Sequence, residues 1–288
     1  MPKTIIEGFK KLRQNLEITD IQELSVSKRQ QNIREILETE LTIINSFLTG
    51  SYRRSTMISP LSEADVDIFI ILDPTYYKLN GQTYLLDKVR HILLKKYPTT
   101  PKISRNGQAV TIRFTDFKVD VVPAFHRNGG GYIIPNCVIS QWISTDPRKH
   151  IEIWSNANKA HNYDLIPLIK MIKGWNKKHS KLLNSFHLES LVLKILNNIR
   201  IDSFSSGVRY VFDKARKEVI NPVLDPAGYG GDIGAYLNTL NYISEVVNRL
   251  EAAYNRAIIA ERLEQQGKIA EAYYQWQIIF GDYFPLYG

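Results

Sequence analysis

The stretch that most constrains this fold is Asp65 to Leu72, "DVDIFIIL". Its second half, Ile68 to Leu72, is the longest uninterrupted apolar run in the chain, and it stops at "DP". A short apolar run bounded by turn residues predicts a strand buried on both faces, here over Val66–Leu72. Charges are expensive at the entrance to such a strand. Strand side chains alternate, so Asp65 and Asp67 share one face and Val66 takes the other. Whatever the chain folds into must give that face an electrostatic reason to exist.

A second strand carries the same anomaly. In "FKVDVVPAF", Lys118, Asp120 and Val122 share a face while Val119 and Val121 share the opposite one. "AVTIRF" precedes it, and Thr115-Asp116 predicts a hairpin between the two. If the Asp65 and Asp120 strands are neighbours in one sheet, three carboxylates converge. Such a cluster repels itself, and burial penalises each member further. Hard oxygen donors suit Mg²⁺, which relieves both penalties and leaves positions for water and substrate phosphate. The plainer alternative for a bare D-x-D is a pair of capping or surface charges at a strand end. Gly50-Ser51, read as directly following a helix, lets backbone N–H groups and a hydroxyl approach phosphate, or simply caps that helix. Arg53 and Arg54 can reach a phosphate from the same loop, although exposed loop arginines commonly do nothing specific.

The flanking segments read mostly as helix. An amphipathic helix is predicted near Ile5 to Leu16, and a longer one from about Ser27, with Ser27 and Gln30 as its capping box. Ile33, Ile36, Leu37, Leu41, Ile44 and Leu48 recur there at helical spacing. Another helix covers about Leu85–Lys96, and "HRNGGGYIIP" reads as a loop or hairpin turn. After about residue 150 the pattern is helical: "DLIPLIKMIKGWNKKH", "SFHLESLVLKILNNI", and a long run from "GAYL" to "QIIF". The division expected is 1–150 for a mixed core with the N-terminal helices and 151–288 for a helical lobe, although those helices can pack on either side.

Composition narrows the chemistry. No run approaches the ~20 apolar residues of a membrane span, and the N-terminus shows no signal peptide, so the cytoplasm is the expected location. A lone cysteine, Cys137, excludes an intrachain disulfide and a Cys-rich zinc site, and reads as a packed thiol. The six histidines show no ligand spacing. The 37 lysines and arginines outnumber the 29 acids, a surplus that favours polyanionic partners such as nucleotides or nucleic acid.

Gly50-Ser51, then Asp65-x-Asp67 opening an apolar strand, then Asp120 on a later strand, resembles the nucleotidyltransferase superfamily of DNA polymerase beta. Within it, the layout is most similar to the bacterial cGAS/DncV-like nucleotidyltransferases, on the branch that includes oligoadenylate synthetases. "IKMIKGWN" followed by "SFHLESLV", and "LDPAGYGGDIGAYL", extend the resemblance over about residues 40 to 245. It implies an α+β fold: a polymerase-beta-like core with a mixed or antiparallel sheet, then an α-helical lobe, with the active site in a central cleft. It implies an enzyme that joins nucleoside triphosphates, releases pyrophosphate and closes a cyclic di- or trinucleotide in anti-phage (CBASS) defence. Asp65, Asp67 and Asp120 would carry two Mg²⁺ (or Mn²⁺) ions and the chemistry. Gly50, Ser51, Lys173 and Ser185 would hold the triphosphate, with Phe186 under a base and Asn162 at the acceptor base. Expected partners are ATP, with UTP or GTP as further candidates, and a regulatory protein; neither a membrane nor an obligatory nucleic acid is expected.

Read without the resemblance, Lys173 is first a solvated lysine beside the Leu165/Leu168/Ile169/Ile172 stripe. Ser185 is equally a helix cap, and Phe186 a core residue. Two other functions stay open: nucleotidyl transfer to an RNA 3′ end or another acceptor, and a non-catalytic nucleic-acid sensor on the same fold.

Overall fold

The computed structural model describes residues 2–98 and 102–288. Along the chain run α1 (Ile5–Leu16), α2 (Asp20–Glu38), β1 (Ile43–Thr49), the four-residue α3 (Gly50–Arg53), β2 (Asp65–Leu72) and α4 (Gln82–Lys96). Strands β3 (Lys102–Asn106), β4 (Ala109–Arg113), β5 (Lys118–His126), β6 (Tyr132–Asn136) and β7 (Gln141–Thr145) complete the β region. Helices α5 (Pro147–Ala160), α6 (Leu165–Lys178), α7 (Ser185–Ile195), α8 (Phe204–Glu218), α9 (Leu240–Gln265) and α10 (Ile269–Phe280) follow. None of the described helices is long and apolar enough to cross a membrane.

The chain divides into two compact units, one of Ile18–Glu152 and the other of the chain up to Glu17 with Ile153–Gly288. In the first, the strands run in the order β1-β2-β5-β4-β3, with β6 on β5 and β7 on β6. Among the described residues only β2 and β5 pair parallel; the other neighbours are antiparallel. This mixed sheet beside helices is the expected α+β class. One face of β2 and β5, with Val66, Ile68, Ile70, Val119 and Val121, packs on α2 and α4 through Ile33, Leu37, Leu86 and Val89. The opposite face is closed farther along by Phe69, Ile71, Ala124, Tyr132 and Ile134.

In the second unit α1 packs against α6, α8 and α10. Thr4 caps α1 through a capping box with Glu7, and Phe9 meets Trp276 edge-to-face at 4.9 Å.

Several expectations need correction. The second helix begins at Asp20, capped by Thr19 with Gln22 rather than by Ser27 with Gln30, and it ends at Glu38. Ile44 and Leu48, whose spacing from Leu41 mimics a helix, lie in β1. The β-branched cluster Thr42-Ile43-Ile44 favours extended backbone there, and pairing with β2 decides it. Gly50-Ser51 therefore follows a strand, not a helix. The last long helical run begins only at Leu240, capped by Thr239, and breaks at Gly267. In "HRNGGGYIIP", Arg127–Gly131 is the β5–β6 turn and the remainder is strand.

Candidate active site

The carboxylates are placed by sheet register. Asp67 on β2 lies directly opposite Asp120 on β5. Thr49 on β1 flanks Asp67 on one side, and Thr111 on β4 flanks Asp120 on the other. One row across the sheet thus reads Thr49, Asp67, Asp120, Thr111. The next row reads Asp65, Lys118, Arg113 on the same face. Thr111 Oγ1 donates to Asp120 Oδ1 at 2.5 Å, and Lys118 Nζ lies 3.3 Å from Asp65 Oδ1. Asp65 is exposed, whereas Asp67 and Asp120 are half-buried. Burial pushes the Asp120 carboxyl up; the Thr111 hydroxyl opposes the rise, the Asp65 charge adds to it, and Lys118 and Arg113 offset part of it.

Gly50 bears on the same carboxylates. It turns the chain from β1 into α3 with φ +61°, a conformation that disfavours any side chain. A Cβ there would stand 1.8 Å from Asp67 Oδ2 and 2.7 Å from its Cγ. The turn is tied down behind it: Ser51 O accepts from Thr56 N at 2.9 Å and Met57 N at 3.0 Å. Among the described residues no three His, Cys, Asp or Glu side chains form a ready-made metal cage. The donor chemistry nevertheless fits a hard divalent cation. Two carboxylates are register neighbours, a third shares their face, and no sulfur or imidazole ligand stands in these rows.

Lys173, Ser185, Phe186 and Asn162 belong to the other unit. Lys173 on α6 is buried, and its Nζ donates to Glu189 Oε1 on α7 at 2.7 Å, with side chains 7% and 0% exposed. Lys170 is likewise buried and pairs with Glu17. Neither is a solvated lysine; each desolvated ammonium has a carboxylate, as burial requires. Ser185 is the exposed first residue of α7, and the capping position falls to Asn184, whose N–H donates to Tyr236 Oη at 2.8 Å. Phe186 is half-buried and stacks on Trp154 at 5.9 Å. Asn162 is exposed in the α5–α6 turn, at φ +52°.

The family model of the Second Messenger Oligonucleotide or Dinucleotide Synthetase domain matches residues 4–158. The chain belongs to this family. The synthetase is 29% identical over 272 residues to a probable cyclic nucleotide synthase of Bacillus cereus (strain VD146), covering 82% of this chain and 81% of the relative. It is 26% identical over 260 residues to the cyclic AMP-AMP-AMP synthase of an Acinetobacter species, covering 84% and 73%. Its fold matches that of E. coli MS115-1 CdnC, solved with ATP, at a TM-score of 0.76 and 16% identity over 97% and 98% of the two chains. The kinship with bacterial cGAS/DncV-like nucleotidyltransferases and the polymerase-beta-like fold both hold, and the protein is a nucleotidyltransferase.

Several neighbours of the synthetase's site residues went unread in the sequence. Thr111 is the single hydroxyl in "AVTIR", and the hairpin register from Thr115-Asp116 leads to its pairing with Asp120. Glu189 had a signal too, as the one charge in "HLESLV". Beside them, His187 Nδ1 hydrogen-bonds Tyr236 Oη at 2.9 Å, and burial lowers its pKa while Asp232 opposes that.

Proposed function

We propose that this synthetase joins nucleoside triphosphates, ATP among them, with release of pyrophosphate, and closes the product into a cyclic di- or trinucleotide that signals in anti-phage defence in the cytoplasm. The observation that carries the reading is the Asp67–Asp120 pair on parallel strands, with Asp65 on the same face and Gly50 closed against Asp67.

In the sheet unit, Asp65 and Asp67 would hold two Mg²⁺ or Mn²⁺ ions, and Asp120 would complete the ligand set. Bound there, the ions would supply Lewis-acid activation of the attacking hydroxyl and charge neutralisation on the leaving pyrophosphate. Asp120, its pKa raised by burial, would take up the proton of the attacking ribose hydroxyl. Gly50 and Ser51 would approach the triphosphate through backbone N–H groups and a hydroxyl, because nothing larger than hydrogen fits at position 50.

The helical unit contributes contacts of its own. Lys173 would meet triphosphate as one half of its pair with Glu189, so its charge is positioned before substrate arrives. Ser185 is exposed at the start of α7, Phe186, half-buried beside Trp154, would lie under a base, and Asn162 would contact the acceptor base. A regulatory protein partner completes the proposal.

The test is a reaction of the purified protein with all four nucleoside triphosphates and Mg²⁺ or Mn²⁺, analysed by mass spectrometry. A cyclic product in wild type that disappears in Asp65→Ala/Asp67→Ala supports the reading. Label transferred only to added RNA or protein would replace it with acceptor modification, and nucleic-acid binding without pyrophosphate release would replace it with a sensor.

A further inference from the structure

Residues 224–237, "LDPAGYGGDIGAYL", have no role in the proposed chemistry, yet they are built as a platform. The Asp225 carboxylate accepts from the backbone N–H groups of Ala227 at 3.0 Å and Gly230 at 2.9 Å. Asp232 Oδ1 accepts from Val223 N and Gly234 N, each at 2.9 Å. Two aspartates thereby tie the turns down from within. Near its end the platform carries Tyr236, whose half-buried ring meets His187 edge-on with 5.6 Å between centroids.

Tyr236 grips α7 at two points. Its Oη accepts from Asn184 N at 2.8 Å and lies 2.9 Å from His187 Nδ1. Burial pushes the Tyr236 pKa up to about 12, opposed by the Asn184 N–H and aided by Tyr242, so the hydroxyl keeps its proton. Burial also holds His187 below its ordinary value, with Asp232 opposing, so the imidazole is neutral at pH 7. The Tyr236 O–H therefore donates to Nδ1, and the ring hydrogen sits on Nε2. That Nε2 is buried with no partner among the described residues, which leaves Tyr236 as the polar anchor of the ring. Asn184 is the cap residue of α7 and His187 its third residue, so Ser185 and Phe186 lie between the two anchored points. The Asn184 side chain makes no capping hydrogen bond of its own.

The residues leading into α7 are held as firmly. Tyr242 Oη on α9 donates to Leu182 O at 2.5 Å. Asn176 on α6 donates through Nδ2 to Leu183 O at 2.7 Å and accepts from Leu183 N through Oδ1 at 3.0 Å. Leu182, Leu183 and Asn184 are thus tied in turn to α9, α6 and the platform.

We propose that Tyr236 is a positioning residue for nucleotide binding. By holding Asn184 and His187 it fixes the Ser185–Phe186 step between them, and with it the seat of triphosphate and base. The nucleotide half of this inference rests on the roles proposed above for Ser185 and Phe186; the clamp on α7 does not. Such contacts act on bound substrate and transition state alike, so loosening them raises KM and spares kcat.

The test compares two tyrosine variants of the full chain. Tyr236→Phe keeps the ring and removes the hydroxyl. Tyr273→Phe is the control: in the same unit, Tyr273 Oη donates to Thr4 O at 2.6 Å, and burial likewise raises its pKa to about 12. KM for ATP should rise about tenfold in Tyr236→Phe with kcat within about twofold of wild type, and stay unchanged in Tyr273→Phe. In substrate-free protein, amide exchange from Asn184 to His187 should quicken about tenfold in Tyr236→Phe alone. Gly234→Ala probes the clamp with the hydroxyl retained. Its φ lies outside the left-handed region, and the new Cβ would stand 3.1 Å from His187 Cε1 and Nε2; crowding the ring should raise KM about threefold. An unchanged KM in Tyr236→Phe, or a fall in kcat at constant KM as from simple loss of folded enzyme, overturns the positioning role. Unchanged exchange at α7 overturns the clamp itself. A wild type without synthase activity would refute the synthase reading and the nucleotide half together, and exchange would still decide the clamp.

Discussion

Replacing Gly50 with alanine probes the carboxylate site with one carbon atom. The change carries two separable penalties. The first is backbone strain: at φ +61° a side chain costs about 1–2 kcal/mol, offset by about 0.4–1 kcal/mol because alanine narrows the unfolded ensemble. The second is steric. The new Cβ would lie 1.8 Å from Asp67 Oδ2, and an ordinary contact needs about 3.3 Å, so the carboxylate must retreat by roughly 1.5 Å. Misplacing a reacting group by that much costs about 100-fold or more in turnover, or roughly 2.7 kcal/mol of barrier. Gly107, in the β3–β4 turn, supplies the control. Its φ is +59°, and a Cβ there meets nothing within 4 Å, so Gly107→Ala bears the strain alone. Calorimetric melting and cyclic-product formation should show Gly107→Ala slightly destabilised and fully active, and Gly50→Ala less stable and nearly inactive. In an Asp67→Ala background the extra destabilisation of Gly50→Ala should largely vanish, since the two nearest atoms, Asp67 Oδ2 at 1.8 Å and Cγ at 2.7 Å, are then gone. If Gly50→Ala matches Gly107→Ala in both stability and rate, the placement of Asp67 is irrelevant to the chemistry and the site assignment fails.

Three further outcomes are expected. Asp120→Asn should abolish product formation and raise the melting temperature at neutral pH. The folded pKa of Asp120 lies above its unfolded value, so its contribution is most favourable at low pH and is lost as pH rises through that interval; a pH-independent melting difference between the two proteins would refute this. Thr111→Val removes the hydroxyl that favours ionised Asp120, so the acid limb of the pH profile of kcat/KM should move to higher pH with the shape of the profile retained. Glu189→Ala leaves the Lys173 ammonium buried without its carboxylate and should cost about 3–5 kcal/mol in denaturant unfolding. Lys173→Met/Glu189→Leu should recover most of that stability and none of the activity.

What the sequence hides here follows from the range over which each signal acts. The alternation in "DVDIFIIL" and "FKVDVVPAF" is local, and it predicted both strands and the faces of their aspartates. The β1 strand was misread because Leu41, Ile44 and Leu48 fit a helical period by coincidence, and only pairing with β2 decides between the two periods. The register that sets Asp67 against Asp120 depends on the whole β2–β5 crossover, including α4 and the β3–β4 hairpin, and no local pattern encodes it. Lys173 and Glu189 show the difference most sharply. Glu189 is the one charge in its apolar stretch, and Lys173 shares the buried face of α6 with Lys170 alone; taken singly each reads as a functional or solvated group. Neither face can be buried with its charge unanswered, so two such faces on consecutive helices predict each other as partners. An isolated charge on a buried stripe is thus a statement about a second stripe elsewhere in the chain, and the search for its complement should precede any assignment to substrate. For Lys173 that order matters: its first obligation is to Glu189, and any contact with triphosphate is made by the pair.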